Sequence, residues 1–145
     1  MTTWLYQMSP KYWSPERYRY EIWEGEKWAW SVGSKAMGEN VPQAGDTVIF
    51  FFAPSGGNDP GFYGWAVVID WYSDSNTPLM FRPATPSDHL KMHPWWDESA
   101  QQLADKIRGK FKQQTLWVVH DDLVDDLRKG ITSWVSSNHV KQYKK

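Results

Sequence analysis

A pair of apolar runs separated by turn residues constrains this fold more than any other feature of the sequence. The run Thr47–Ala53 follows Gly45-Asp46 and consists almost entirely of β-branched and aromatic residues, which is typical of a strand buried on both faces. The segment 54–61 is rich in proline and glycine, and Tyr63–Trp71 is a second strand-like run. Together the two runs predict a β-hairpin with a long tip.

Shorter elements surround this hairpin. Further strands are predicted at Trp4–Met8, at Leu79–Arg82 and at Thr115–Val119, with an extended segment at Trp28–Val32. Helices are predicted at Pro15–Trp23, Asp97–Arg108 and Asp121–Trp134. We expect Gly130 to weaken the last turn of the third helix. The pattern predicts an α+β fold, a small mixed β-barrel of five to six strands with inserted helices, as a single domain over residues 1–145.

The unusual quantity in the composition is tryptophan, with 11 residues among 145. Leucine or isoleucine would fill a core without an indole N–H that needs a hydrogen-bond partner, so this number calls for an explanation beyond packing. The hydrophobic share of 41% is enough to form a core, which excludes a disordered chain. The net charge of -1 excludes a basic, histone-like protein that attracts nucleic acid through a global positive field.

The absence of cysteine excludes a disulfide framework, a thiolate nucleophile and a cysteine-ligated zinc site, and it is compatible with a reducing compartment. The longest apolar stretch, Val48–Ala53, would cross only part of a bilayer. Met1–Tyr6 lacks the basic segment and apolar run of a signal peptide. We therefore expect a cytoplasmic protein with no membrane partner.

Histidines and nearby acids offer the main argument for an enzyme or a metal site. His89 and His93 have a spacing that could bind metal from a helix, but Pro94 and the preceding prolines disfavour a helix there, and no third ligand is evident. His120–Asp122 is better explained as a strand end followed by a helix N-terminus with acidic residues. Neither a Gly-x-Ser-x-Gly elbow nor a phosphate-binding glycine loop is present. We expect no catalysis, no metal and no cofactor.

Three segments in order, Trp30–Gly33, Gly45–Phe50 and Gly64–Val68, resemble the EVE-type domains of the PUA-like superfamily, which are related to YTH and ASCH domains. In that family a Trp-Ser element follows the first helix, a Gly-Asp turn opens a buried strand, and a glycine-containing hairpin partner comes next. Trp4–Met8 and the strand-rich stretch to about Arg82 fit as well, so the resemblance covers about the first 85 residues. The remainder of the chain fits loosely, as closing helices and a strand.

The resemblance implies a non-enzymatic module that binds nucleic acid by enclosing a nucleobase in an aromatic pocket at one end of the barrel. It favours a modified DNA base, reached by base flipping at a cost of a few kcal/mol, which stacking of about 1–3 kcal/mol per base would offset. A modified-RNA reader of the YTH or ASCH type and a hydrolase of the ASCH type remain alternatives, and so does an effector nuclease or ATPase as a partner. Several tryptophans would equally suit an aromatic cage for a methylammonium group or a small heteroaromatic ligand.

In this resemblance Trp30 and Ser31 correspond to the pocket element, with the indole as one wall and the serine at the base edge. Because alternation along a strand places neighbours on opposite faces, the two serve one ligand only at a strand end or a bulge. Candidates for a second wall lie just outside regular structure: Trp13, Trp71, Tyr72, Trp95 and Trp96. Core packing is the alternative for each. Trp117 and Trp134 fall on apolar stripes, and we interpret them as core residues.

One basic patch is present, formed by Lys106, Arg108, Lys110 and Lys112. Its functional interpretation is contact with phosphates, which would make binding depend on salt. The alternative is favourable charge at a helix C-terminus, which requires no ligand. Lys35 is a further candidate phosphate contact, with an ordinary solvated lysine as the alternative.

Overall fold

The structure, a computed structural model, describes residues 1–8, 28–30, 41–54, 60–72, 79–83, 94–109 and 116–143. Its strands are β1 (Thr3–Met8), β2 (Trp28–Trp30), β3 (Thr47–Phe52), β4 (Gly61–Trp71), β5 (Leu79–Pro83) and β6 (Leu116–Val119). Its described helices are α1 (Glu98–Arg108) and α2 (Asp121–Tyr143). The helix predicted at Pro15–Trp23 lies outside the described residues.

The strands form one mixed sheet in the order β2-β5-β4-β3-β1-β6. Strands β1 and β3 are parallel, and every other neighbouring pair is antiparallel. Strands β3 and β4 form the predicted hairpin, with Thr47 opposite Val67 and Phe52 opposite Gly61. The predicted α+β class is confirmed, and the six strands within the described residues agree with the predicted five to six.

The sheet curls around one of its faces. Phe50 of β3 and Phe81 of β5 have ring centroids 5.4 Å apart, although β4 lies between their strands. Strands two places apart in a flat sheet are about 9.5 Å apart, so the face must be concave. Gly64 lies directly opposite Phe50 and has a φ of 140°, a conformation that favours glycine, and its missing side chain leaves room for the two rings to meet. Register shifts in the β3–β4 pairing at Phe50/Phe51 and in the β4–β5 pairing at Val68/Asp70 add to the bend.

The concave face carries an inner core of twelve buried residues: Trp4, Tyr6, Met8, Val48, Phe50, Phe52, Tyr63, Ala66, Val68, Leu79, Phe81 and Leu116. The opposite face is covered by α1 and α2. It carries an outer core: Leu5, Ile49, Phe51, Phe62, Trp95, Ala100, Leu103, Ala104, Ile107, Trp117, Val119, Leu127 and Ile131. Trp117 is buried here and Trp134 packs against the same cluster, so the predicted core role of both is confirmed.

Helix α1 follows its predicted boundaries. Asp97 caps it, since the carboxylate Oδ1 accepts a hydrogen bond from the backbone N–H of Ala100 at 2.8 Å. The predicted apolar stripe faces the sheet, and Gly109 with a φ of 55° ends the helix.

Helix α2 continues to Tyr143, well past its predicted end at Trp134. The expectation that Gly130 weakens the last turn is therefore wrong, because this glycine lies in the middle of the helix. The six-membered ring of Trp95 lies so close to Gly130 that an added Cβ would overlap it. Gly130 thus allows the indole to lie directly against the helix backbone.

Candidate functional site

The two ends of the sheet hold different aromatic residues. At one end β2 and β4 finish and β5 begins, and we call this the Trp71 end. At the other end β1 and β3 finish and β4 begins. Trp95 forms a β-bridge with Phe62 there, so we call it the Trp95 end. Strand β4 has 11 residues, so the two ends lie about 30 Å apart along it at ~3.3 Å per residue.

Two of the predicted pocket positions meet in one row at the Trp71 end. Leu79 of β5 is paired with Trp71 of β4 on one side and with Trp30 of β2 on the other. Leu79 is fully buried in the inner core, and Trp71 is half-buried against that core. The sheet therefore brings the positions of Trp30 and Trp71 together, as one pocket requires.

Tyr72 follows β4 directly and is 45% exposed. Together with the half-buried indole of Trp71, it gives this end of the sheet an aromatic surface open to solvent. Such a surface can stack on a flat, apolar ring. Ser31, Trp13 and Lys35 lie outside the described residues.

A buried carboxylate stabilises the same end of the sheet. Asp46, in the turn before β3, accepts hydrogen bonds from the backbone N–H of Thr2 at 3.0 Å, from the indole Nε1–H of Trp4 at 3.0 Å and from the backbone N–H of Gln43 at 2.9 Å. Burial acts to raise the pKa of Asp46, but the hydrogen bonds from Gln43, Thr2 and Trp4 outweigh it and lower that pKa below its ordinary value of 3.8. The Gly-Asp turn thus joins the start of β1 to the start of β3.

At the Trp95 end the candidate indole is enclosed by protein. Trp95 is 4% exposed, its ring packs on that of Phe62 with centroids 5.5 Å apart, and its other neighbour is Gly130. The indole Nε1–H donates to Asp97 Oδ2 at 3.0 Å. This placement does not fit the prediction that Trp95 shares one base pocket with Trp71, because Trp95 lies at the opposite end of the sheet. The small exposed part of Trp95 lines a cavity of about 280 Å³ beside α1.

Trp96, its neighbour, is half-buried and packs against the outer core, with its ring 6.0 Å from that of Phe51. It therefore lies at the opposite end of the sheet from Trp71. The described candidate aromatics do not form one pocket, and they divide between the two ends.

Arg108 of the basic patch is 5% exposed and is bonded within the protein. Its guanidinium lies 4.9 Å from the ring centroid of Phe51 and donates to Ala104 O at 3.4 Å, Gln7 Oε1 at 3.3 Å and Asp105 Oδ1 at 3.5 Å. Burial lowers the pKa of Arg108, and Asp105 partly opposes this. The prediction that Arg108 contacts phosphate is contradicted, because a phosphate could not reach the buried guanidinium.

Lys106, in contrast, is exposed on α1. It lines a cavity of about 280 Å³ between the two helices, together with Asp126 of α2. Lys110 and Lys112 lie outside the described residues. Lys106 is therefore the member of the basic patch that the structure describes in a position to meet a ligand.

The residues considered for metal binding do not gather in the described part of the chain. There, no three His, Asp or Glu side chains lie close enough to hold a metal ion, and His89 and His93 fall outside it. The carbonyl of His120 accepts the N–H of Leu123 at 2.9 Å and of Val124 at 3.0 Å, which confirms its predicted place at the start of a helix. None of the described helices is long and apolar enough to cross a membrane.

Sequence reasoning missed a cavity of about 270 Å³ between the β3–β4 hairpin and α2. Its lining residues are Thr47, Ile49, Trp65, Arg128, Ile131 and Thr132. The alternation in β4 was a usable signal, because Trp65 has the opposite orientation to its buried neighbour Ala66. The contribution of α2 could not be read from the sequence, since it depends on how the helix lies on the sheet.

No family model matches the sequence, and no curated protein matches it. Solved structures do share its fold. A hypothetical protein from Leishmania major has a TM-score of 0.57 at 15% identity, over 92% of this chain and 97% of that one. A protein from Pseudomonas putida has a TM-score of 0.55 at 15% identity, over 88% and 98%. Human THYN1, solved in complex with 5-methylcytosine-containing DNA, has a TM-score of 0.51 at 10% identity, over 88% and 95%. These likenesses show that the chain shares the fold of human THYN1 and of the other two proteins, as the resemblance implies.

Proposed function

We propose that this chain is a non-enzymatic, EVE-type module that binds nucleic acid and receives a flipped, modified DNA base at the Trp71 end. The observation that carries the proposal is the row of Trp30, Leu79 and Trp71 across three strands, with exposed Tyr72 beside it. The 5-methylcytosine-containing DNA bound to human THYN1, which shares the fold, supports the choice of ligand.

The energetics of the Trp71 end suit a base better than a backbone. Trp71 is partly buried and already packs on the inner core, so little ordering entropy opposes binding. Stacking on an aromatic contributes about 1–3 kcal/mol per base, enough to offset much of the cost of flipping. With a net charge of -1, the protein gains affinity from the base more than from long-range attraction to phosphates.

The other proposed contacts to nucleic acid come from residues at the Trp71 end and from the basic patch. Trp30 and Ser31 contribute one wall and a hydrogen bond to the base edge. Phosphate contacts come from exposed Lys106 and from three lysines outside the described residues: Lys35, Lys110 and Lys112. Trp95 and Arg108 are not part of the proposal, because both are buried.

The test is fluorescence anisotropy with a labelled DNA duplex that carries one 5-methylcytosine, beside the unmodified duplex and the matching single strands of DNA and RNA. Trp71→Ala and Trp30→Ala should each weaken binding of the methylated duplex by about tenfold, the loss of one stacking contact. Trp96→Ala is the matched control, since it removes a half-buried tryptophan from the other end.

Equal affinity for methylated and unmodified DNA would refute the preference for a modified base. Equal losses for Trp71→Ala and Trp96→Ala would refute the assignment of the site to the Trp71 end. Tighter binding of the RNA strand than of either form of DNA would show that the ligand is RNA and not DNA.

A further inference from the structure

The cavity between the β3–β4 hairpin and α2 has the composition of a small-ligand site, and we call it the Trp65 cavity. Its apolar walls are the half-buried indole of Trp65 and the buried side chains of Ile49 and Ile131. Trp65 and Ile49 are directly paired across the hairpin, so the strand register holds them side by side. Thr47 and Thr132 also line this cavity.

One charge is placed at this cavity. Arg128 of α2 is exposed and is the charged member of the lining. Among the residues that the structure describes, no carboxylate forms an ion pair with it. An arginine without such a partner beside an aromatic wall attracts an anionic group, because its planar guanidinium matches a carboxylate with two parallel hydrogen bonds.

We propose that the Trp65 cavity binds a small aromatic or heteroaromatic carboxylic acid. The ring lies along Trp65 and Ile131, and the carboxylate is held by Arg128 with the threonine hydroxyls as further donors. The volume limits the ligand: about 270 Å³ is just under the usual range of about 300–1,000 Å³ for ligand pockets, so the cavity takes one or two rings and no polymer segment.

This site is separate from the one in the proposed function. The Trp65 cavity lies on the helix-covered face of the sheet, whereas Trp71 packs on the inner core of the concave face. Occupation of the cavity therefore does not require nucleic acid. It can be tested independently, and either proposal can fail without the other.

The experiment uses the indole N–H signals of the ¹⁵N-labelled protein, in which each tryptophan gives its own resonance. Trp65→Phe identifies the Trp65 signal. Titration with indole-3-acetate should shift that signal to saturation, and the neutral probe indole-3-acetamide should bind about tenfold more weakly, because it lacks the charge that Arg128 recognises.

Arg128→Gln should weaken the binding of indole-3-acetate by about tenfold, because a charge-assisted contact is lost. Lys129→Gln should leave the affinity for indole-3-acetate unchanged. Lys129 is the adjacent exposed cation and does not line the cavity, so it controls for net charge. Trp71→Ala should also leave the titration unchanged.

Three results would overturn the proposal. They are a Trp65 signal that does not move, equal affinities for the acid and the amide, and equal losses in Arg128→Gln and Lys129→Gln. Unchanged circular dichroism of each variant shows that the fold has survived the substitution.

Discussion

The Trp71 end and the Trp95 end of the sheet each carry a tryptophan, but the two side chains differ in how far they are buried. Trp71 is half-buried and followed by an exposed tyrosine, whereas Trp95 is enclosed between Phe62 and helix α2. Both indoles follow or precede a loop, and both are next to a second aromatic residue in the sequence. One end is consequently available to a ligand, and the other is part of the core.

The difference between the ends arises from residues far away in the sequence. Trp95 is buried because Gly130 of α2 has no side chain where the indole lies, and because Asp97 accepts its N–H. No described residue covers Trp71 in the same way. A tryptophan beside a loop is therefore informative about ligand binding only when its partners are known.

The largest expected effect is on stability at the Trp95 end. Trp95→Ala should lower the free energy of unfolding by about 3–5 kcal/mol, the usual range for truncating a buried aromatic residue. Trp71→Ala should cost less, because Trp71 is only partly buried and lies at the edge of the inner core. Urea denaturation followed by circular dichroism measures both. Equal losses would mean that the two ends do not differ in packing.

Gly130→Ala should lower the free energy of unfolding by about 2 kcal/mol, because the new methyl group overlaps Trp95 and overpacking costs about 1–3 kcal/mol. In an exposed helix the same change would stabilise the protein by about 1 kcal/mol. The two outcomes have opposite signs, so a urea midpoint distinguishes them.

The same denaturation in the Trp95→Ala background supplies the control. There the ring is absent, and Gly130→Ala should become neutral or stabilising. If the alanine is equally harmful with and without the indole, the contact between α2 and Trp95 is not the reason for glycine at this position.

Asp46, at the Trp71 end, makes the stability of the protein depend on pH. Its folded pKa is lowered, so its stabilisation is fully present above the unfolded value of 3.8 and is lost as pH falls through the folded pKa. Asp46→Asn should lower the free energy of unfolding at pH 7 by about 1.5 kcal/mol, the loss of hydrogen bonds to a charged group. The gap between wild type and variant should narrow below about pH 4.

Asp125→Asn removes an exposed carboxylate from α2 and controls for the change in charge. Thermal denaturation across pH 2–7 provides the comparison. A gap between wild type and Asp46→Asn that stays constant down to pH 2 would show that the lowered pKa does not contribute to stability.

Most of the fold could be predicted from local patterns. The hairpin, the strand at Trp4–Met8 and the helix capped by Asp97 appear where apolar periodicity and turn residues place them. The end of α2 was missed because the residues after Trp134 are mostly polar and carry no apolar stripe.

The site was predictable only in part, for a different reason. The residues that distinguish Trp71 from Trp95 lie on other elements, and no local pattern reports them. Arg108 belongs to the basic patch by sequence, yet Phe51 of β3 and Gln7 of β1 enclose its guanidinium. A cluster of charges in sequence thus includes members that point to opposite sides of a helix.

The smallest expected effect separates those two sides of α1. If the exposed Lys106 contacts a phosphate, Lys106→Gln should reduce the slope of log affinity against log salt by about 0.9, the value for one phosphate on duplex DNA. Arg108→Gln should leave the slope unchanged and lower stability instead, because its guanidinium is bonded to protein. Lys129→Gln removes an exposed charge from α2 and should alter neither the salt slope nor the stability. Anisotropy titrations from 50 to 300 mM salt measure the slopes. A slope that falls in Arg108→Gln but not in Lys106→Gln would mean that nucleic acid binding exposes the buried side of α1. The difference in exposure between Arg108 and Lys106 would then hold only for the protein without ligand.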